Sequence, residues 1–464
     1  MDVMLYRKAY DKLLSWKNGK NKKTALFIEG VRQCGKTTVV EEFAKNEYRC
    51  FAELNFLTEP ETKRIFEGGG DISSIIEGIT AYTRKELVPG ETLILLDEIG
   101  ECPEARTAVK MLVEDGRFDY VETGSLPGIK NRLVRSLPVG FEENYKMYPM
   151  DFEEFLTACG VRESTIGLLR KACDEEQPLS SFIHEKLLKL FYVYIIVGGM
   201  PRAVQEYVDS HDIAAVIGVQ NTIIGLYQQD IAKYAELKDR PKIRAIFDSI
   251  PNELNSKNRR FRLASLNETA RMERYEDSFN WLVDAGVALP CYNVSEPSGA
   301  LKLNEKRNLL KLFLADTGLL CALSMDNVQF EILGGNLEIN MGSILENMMA
   351  QIFTADGFPL HYFDSKKYGE VDFILQRGSG ITFVEVKSGA DYRKHTALDN
   401  VMKVENWKEN EAVVFSRSNI ERENGILYLP WYAAPFFFRK TDPVHMIYEV
   451  DVSSLNESAE NSGM

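Results

Sequence analysis

The chain has 464 residues, 45% hydrophobic and 27% charged, with 55 basic against 69 acidic side chains and a formal net charge of −14. That length is too great for one hydrophobic core and predicts about three domains of ordinary soluble globular composition. A balance this acidic excludes a general nucleic-acid coat, so any contact with DNA or RNA must come from a local basic patch.

In chain order, residues 1–20 read as a helix with Leu5, Tyr6, Tyr10, Leu13 and Leu14 on one side. Strand "TALFIEG" (24–30), a Gly-bounded loop and a helix from Lys36 follow. Next come strand "RCFAELNFL" (49–57), a polar helix, and a helix over 72–88. "TLILLDEI" (92–99) is a continuous apolar strand ending in two carboxylates, "FDYVETGSL" (118–126) is a fourth strand and "ENYKMYP" (143–149) a fifth. Strands alternating with helices imply a parallel α/β sheet. From "MDFEEFL" to residue 236 the pattern is helical, and "LFYVYIIVGGM" (190–200) is too short to span a membrane and reads as a buried helix or strand. Residues 237–325 read as helices followed by strand-like pieces at "VALPCYNV" and "LKLFLAD". A helix "LEINMGSILENMMAQIFTA" from 337 leads into the hairpin "GEVDFILQRGSGITFVEVKSG" (369–389), with later strands "EAVVFS" (411–416) and "GILYLP" (425–430). The polar tail "NESAENSGM" is expected to be disordered.

Seven dispersed cysteines without a C-x-x-C, and five histidines, argue against zinc and suit reduced thiols. The charged N-terminus lacks an apolar leader segment, so the expected location is the cytoplasm, with no membrane partner.

"GVRQCGKTT" fits the phosphate-loop pattern G-x-x-x-x-G-K-[ST], after an apolar strand and before a helix, as that motif requires. Gly30, Val31, Arg32, Gln33, Cys34, Gly35, Lys36, Thr37 and Thr38 therefore form the candidate nucleotide cradle. The glycines let backbone amides turn inward, Lys36 reaches the β- and γ-phosphates, and the Thr37 hydroxyl ligates Mg²⁺. In "LILLDE", Asp97 stands where it can hold the Mg²⁺ shell, and Glu98 can polarise the attacking water as general base. Thr123 and Ser125 of "ETGS" are candidate γ-phosphate sensors, with polar strand-end residues at a turn as the bland alternative.

The strand inserted between the loop and "LILLDE", together with Glu98, resembles the additional-strand, catalytic-glutamate division of P-loop ATPases. The combination "GVRQCGKTT", "LDEI", "ETGS" and "YPMDFEEFL", with "VGGMPRAV" (197–204) and "GEVDFIL…FVEVKSG", resembles a bacterial and archaeal family of AAA-type ATPases that carry a C-terminal domain of unknown function. The likeness runs from about residue 20 to 440, with Cys34 at a position where another small apolar residue is expected. It implies ATP and Mg²⁺ as cofactors, and a C-terminal half holding a winged-helix-like segment and a PD-(D/E)xK nuclease-like fold. The expected organisation is an AAA-type P-loop ATPase domain over 1–156, a helical region over 157–236, a winged-helix-like region over 237–330, a nuclease-like α/β domain over 331–440 and a tail over 441–464. Arg132, Arg135 and Arg202 are candidate suppliers of the arginine such ATPases use.

Two further constellations stand out. "RPKIRAIFDSIPNELNSKNRRFR" (240–262) carries seven basic against two acidic residues, so Lys257, Arg259, Arg260 and Arg262 are candidate DNA-phosphate contacts. A basic loop packed on the chain's own acidic surface is the alternative. In the hairpin, Asp372 and Glu385, with Glu346 from the preceding helix, are candidate ligands for a second divalent metal. Lys387, two residues after Glu385, would share its strand face and orient water, with Lys394 as a weaker helper. Simple alternation on a half-exposed strand accounts for "VEVKSG" alone. The leading expectation is a Mg²⁺-dependent ATPase controlling a nucleic-acid-binding or nuclease-like domain. The alternatives are an NTP-dependent switch with an inactive docking domain, and a ring-forming motor; the oligomeric state is open.

Overall fold

The computed structural model describes residues 5–19, 24–125, 138–256, 259–266, 271–324, 329–334, 341–378, 380–407 and 410–437. The N-terminal part is built on strands β1 (Ala25–Gly30), β2 (Cys50–Asn55), β3 (Thr92–Asp97), β4 (Asp119–Gly124) and β5 (Glu142–Met147). They form one sheet in the order β2-β3-β4-β1-β5, and every pairing is parallel. Every residue of β3 is buried, because a parallel sheet is covered on both faces. On one face Leu26, Ile28, Leu93 and Leu95 pack with α1 (Lys8–Asn18) and α2 (Lys36–Glu47). On the other, Phe27, Leu54, Ile94 and Leu96 pack with α3 (Ile72–Thr83) and α4 (Pro103–Asp115). Of the expected α1 face, Leu13 is buried and Leu5, Tyr10 and Leu14 are partly buried against the same core; Tyr6 is 41% exposed, and Ala9 and Trp16 are buried in addition. Trp16 continues the i, i+3, i+4 stripe from Ala9 and Leu13, and its indole nitrogen donates to the Thr24 carbonyl. Under the sheet, Arg106 of α4 stacks 4.2 Å from the Phe27 ring centroid and pairs with the buried Glu122 and Glu142.

The helical part comprises α5 (Phe152–Ala158), α6 (Glu163–Asp174), α7 (Ser181–Val197), α8 (Pro201–Ser210), α9 (Ile213–Tyr234), α10 (Arg240–Leu254) and α11 (Glu276–Asp284). The segment "YPMDFEEFL" starts α5 with a capping box in which Asp151 and Glu154 satisfy each other's backbone donors. "GGMP" is a close-packed junction. Gly198 has φ +73°, a β-carbon there would lie 2.3 Å from Asp316 Oδ1, and one on Gly199 would lie 2.1 Å from the Met150 carbonyl oxygen. Asp316 accepts from Gly199 N at 2.6 Å and Leu319 N at 3.0 Å. Burial pushes its carboxyl up to about 6 despite those bonds.

The C-terminal part adds β6 (Ala288–Val294), β7 (Glu305–Leu314), α12 (Thr317–Ser324), α13 (Gln329–Leu333), α14 (Met341–Ala355), β8 (Leu360–Ser365), β9 (Gly369–Arg377) and β10 (Gly380–Val386). After these come α15 (Thr396–Met402), β11 (Glu411–Ser416), β12 (Glu421–Glu423), β13 (Ile426–Pro430) and α16 (Ala434–Phe437). Its mixed sheet has the order β12-β13-β11-β10-β9-β8-β6-β7. β6 pairs parallel with β8, so β6 and β7, which lie in the region expected to be winged-helix-like, share one sheet with the hairpin β9–β10. Backbone donors at the edge of a two-stranded ribbon need partners, and β8 supplies them. The expected tail, 441–464, lies outside the described residues. Among the described residues no helix is long and apolar enough to cross a membrane, and all seven cysteines are free thiols.

Candidate functional site

The phosphate loop joins β1 to α2. Gln33 at φ +69° and Gly35 at φ +88° give the loop its inward curl, and a β-carbon on Gly30 would lie 2.3 Å from the Met147 carbonyl oxygen. Lys36 is buried and its ammonium donates to the carbonyls of Gly30 (3.0 Å) and Val31 (3.2 Å) and to Ser125 Oγ (3.0 Å). Ser125 Oγ donates in turn to Glu98 Oε1 at 2.5 Å. A chain of hydrogen bonds therefore links the loop lysine to the glutamate after β3.

Asp97 ends β3 and is buried. The Thr37 hydroxyl donates to its Oδ1 at 2.9 Å, the Thr123 hydroxyl donates to the same oxygen, and Asn55 Nδ2 donates to Oδ2 at 2.6 Å. Asn55 sits beside Asp97 because the β2–β3 register pairs them. Burial pushes the Asp97 carboxyl up, against the lowering effect of the two threonine hydroxyls. Nearby Glu53 is pushed up to about 7, by burial first and then by Glu41 and Asp97. A carboxylate in an acidic surrounding, with a threonine hydroxyl beside it, is a donor set that suits a hard divalent cation. Glu98 holds a left-handed backbone, φ 52°, which costs a non-glycine residue about 1–2 kcal/mol. The bond from its N–H to Thr123 Oγ1 at 3.1 Å fixes that turn.

Next to the loop is a cleft of about 570 Å³ lined by Leu5, Arg7, Gly35, Thr38, Pro201 and Arg202, among others. It lies beside the first turn of α2, at Gly35 and Thr38. Of the three candidate arginines, Arg202 is at this cleft; Arg132 and Arg135 lie outside the described residues.

The crown of the loop is covered by the helical part. Arg32 Nη1 is 2.5 Å from Asp230 Oδ1 on α9, and the Tyr227 hydroxyl donates to the Arg32 carbonyl at 3.1 Å. About one turn after Asp230, the Tyr234 hydroxyl donates to Glu101 Oε1 at 3.1 Å, just beyond Glu98. Helix α9 thus touches both halves of the phosphate site.

In the C-terminal sheet, Asp372 (β9) and Glu385 (β10) come together with Glu346 from α14, as the sequence suggested, but with two cations among them. Arg259 pairs with Glu346 and lies 3.8 Å from Asp372 Oδ1. The fully buried Lys311 of β7 lies 3.5 Å from Glu346 Oε2 and 2.7 Å from Glu370 Oε1. Asp372 Oδ2 accepts from Val386 N at 2.8 Å, and Lys387 Nζ donates to Glu385 Oε1 at 2.7 Å. Burial, and then Asp372, push the Glu385 carboxyl up. Among the described residues no group of three or more His, Cys, Asp or Glu side chains is arranged to hold a metal ion. The expected open metal site is therefore corrected to an ion-paired cluster, since guanidinium and ammonium groups stand between the carboxylates. It faces a cleft of about 410 Å³ that also includes Lys387, Gly389 and Lys394.

The basic stretch is likewise paired within the chain. Arg260 pairs with Asp364, Arg262 Nε is 3.7 Å from Glu253, and Arg244 Nε is 3.6 Å from Asp248. Lys257 lies outside the described residues. The structure also brings in residues that sequence reasoning missed. Asn55 was detectable as a polar residue ending the strand next to β3. Arg7, Asp230 and Lys311 carried no local signal, because their partners are 27 to 198 positions away.

A family model described as an AAA domain matches residues 22–156, and with the parallel sheet this makes the N-terminal part an AAA-type P-loop ATPase domain. Two models described as domains of unknown function, DUF8612 and DUF4143, match 188–329 and 341–433. Among solved structures, the Walker-type ATPase of Pyrococcus abyssi is 12% identical, with 69% of this chain and 96% of that chain covered and a TM-score of 0.42. The Aeropyrum pernix Orc1 protein in complex with DNA is 12% identical over 72% and 94% of the two chains, TM-score 0.30. Cdc6p of Pyrobaculum aerophilum is 12% identical over 72% and 96%, TM-score 0.29. No curated protein matches the chain.

Proposed function

We propose that the chain binds and hydrolyses ATP with Mg²⁺ at the Lys36–Thr37–Asp97–Glu98 site, and that its nucleotide state acts through α9 on the C-terminal, nuclease-like sheet. The observation that carries the reading is the convergence of Lys36, Thr37, Asp97, Glu98 and Ser125 from three separate segments on one point at the tips of β1, β3 and β4. In the free protein the Lys36 ammonium is satisfied by loop carbonyls and Ser125, and phosphate oxygens would replace these as stronger, charged acceptors. Thr37 and Asp97 are the residues to hold Mg²⁺, which when bound neutralises charge on the β- and γ-phosphates. Glu98, released from Ser125, would take the proton of the attacking water. Ser125 then becomes available to the γ-phosphate. The purified protein should release phosphate from ATP in Mg²⁺, and Lys36→Ala should abolish release. A wild-type protein that neither binds nor turns over ATP refutes the reading.

The C-terminal part has a second reading, favoured by Arg259 and Lys311 among its carboxylates: a docking unit without metal chemistry, so that the whole works as a nucleotide-dependent switch. Nicking of DNA in Mg²⁺ or Mn²⁺ that is lost in Asp372→Ala and Glu385→Ala would favour the nuclease. Absence of both cleavage and salt-sensitive DNA binding would favour the switch.

A further inference from the structure

Arg7 is a buried arginine that precedes α1, 5% exposed, and no part of the phosphate-site reading uses it. Its guanidinium makes three bonds: Nη1 donates to the Cys34 carbonyl at 2.6 Å, Nη2 to the Tyr148 carbonyl at 2.7 Å, and Nε to Glu154 Oε1 at 3.2 Å. Glu154 is fixed independently, since its Oε1 accepts from Lys8 N at 2.7 Å and its Oε2 closes the α5 capping box. The planar fork is therefore clamped between a rigid helix start and the crown of the phosphate loop.

The bond to Cys34 has a geometric consequence. The chain has no cis peptide among the described residues, and in a trans peptide the carbonyl of one residue and the N–H of the next point to opposite sides. Fixing the Cys34 carbonyl outward on Arg7 turns the Gly35 N–H the other way, into the loop. Gly35 lacks the β-carbon that would resist a flip of this peptide, so the plane needs an external hold. Arg7 also lines the cleft beside the loop.

Building on the reading of this loop as a nucleotide site, we infer that Arg7 is a positioning residue for phosphate binding. It pre-orients the Cys34–Gly35 peptide so that the Gly35 amide donates to a nucleotide phosphate, and Glu154 of "DFEEFL" holds Arg7 for that task. Such an amide serves the bound substrate and the transition state alike, so its loss raises KM and leaves kcat nearly unchanged. A merely structural loosening, by contrast, inactivates a fraction of molecules and lowers kcat at constant KM.

The test is calorimetric titration of Mg·ADP, with steady-state ATP turnover, on wild type, Arg7→Lys and Arg7→Met. Wild type binds ADP. Arg7→Met binds about tenfold or more weakly, with KM raised in proportion, and millimolar methylguanidinium restores part of the loss. Arg7→Lys, which keeps one donor for the Cys34 carbonyl, falls between. Should Arg7→Met not fold, Arg7→Met/Glu154→Gln, which leaves no unpaired buried charge, carries the same expectation. Wild-type ADP affinity in a folded Met variant, or a fall in kcat at unchanged KM, overturns the inference and leaves the nucleotide site standing. Failure of wild type to bind ADP overturns both.

Discussion

Replacing Arg259 by alanine asks what the C-terminal carboxylates are for. Glu346 is fully buried and has two cationic partners, Arg259 and Lys311. Removing one partner of a buried pair typically costs about 3–5 kcal/mol. Here the Lys311 ammonium remains, and the Arg259 side chain is 30% exposed, so screening reduces the expected loss to about 1–3 kcal/mol. For a cooperative unit of this size, that lowers the melting temperature by roughly 2–10 °C. The variant also leaves Glu346, Asp372 and Glu385 with less positive charge among them. If they form a latent divalent-metal site, Mn²⁺ at about 100 times its dissociation constant should return about 2.7 kcal/mol. The assay is thermal melting of wild type, Arg259→Ala and Arg259→Ala/Asp372→Ala, each with and without Mn²⁺. Because Arg259 and Lys311 fill the cluster, the expected result is equal melting of Arg259→Ala with and without Mn²⁺. Metal-dependent restabilisation of Arg259→Ala that the added Asp372→Ala removes would refute the ion-paired reading.

Three further outcomes are expected. Glu98→Gln should bind ATP as wild type does but release phosphate about 10²–10⁴-fold more slowly; loss of binding in calorimetry would show that Glu98 serves the fold instead. Burial, and then Glu142, raise the Glu122 carboxyl above its unfolded value of 4.5. The folded state therefore keeps that proton longer, and stability from this group is fully present below about pH 4.5 and falls as pH rises through the folded value. Glu122→Gln should flatten that fall and stabilise the protein at alkaline pH; an unchanged pH profile in urea melts would refute it. Gly199→Ala should cost at least about 2–3 kcal/mol by overpacking, because its β-carbon would meet the Met150 carbonyl oxygen at 2.1 Å; an unshifted urea midpoint would show that the junction yields.

The parallel sheet and the phosphate loop were legible because their determinants are local. Runs such as "TALFIEG" and "TLILLD" announce buried strands, and G-x-x-x-x-G-K-T encodes a loop within a few residues. The placement of Glu346, Asp372 and Glu385 on a helix and two paired strands was legible in the same way. What the sequence hid is what comes from far away. Arg259 reads as a free basic residue in "SKNRRFR" until the fold sets it against Glu346, 87 positions on. The sheet that joins β6 to β8 was hidden for the same reason, since a parallel pairing leaves no turn signature between its strands. The "GGMP" segment was visible as unusual. Its meaning, a close contact with Asp316 and Met150, depends on chain more than 100 residues away on one side.

The proposed control of the C-terminal sheet by nucleotide carries a thermodynamic obligation. Helix α9 bonds to the loop through Asp230 and Tyr227 and to Glu101 through Tyr234, and α10 packs next to it and ends shortly before Arg259. Contact alone is not coupling; what is required is an equilibrium that both sites bias. Coupling between binding sites is also reciprocal. If ATP and ADP differ in how they set Arg259 against Glu346, then breaking that pair must change the ratio of ATP to ADP affinity by the same factor. The Glu98→Gln background permits the measurement, because it retains ATP unhydrolysed. Arg259→Ala in that background should shift the ATP/ADP affinity ratio about 5- to 150-fold, the usual span of coupling energies, and Asp230→Asn, which weakens the bridge from the loop to α9, should cancel the shift. An identical ratio in all three proteins would mean that the two sites share a chain without sharing an equilibrium.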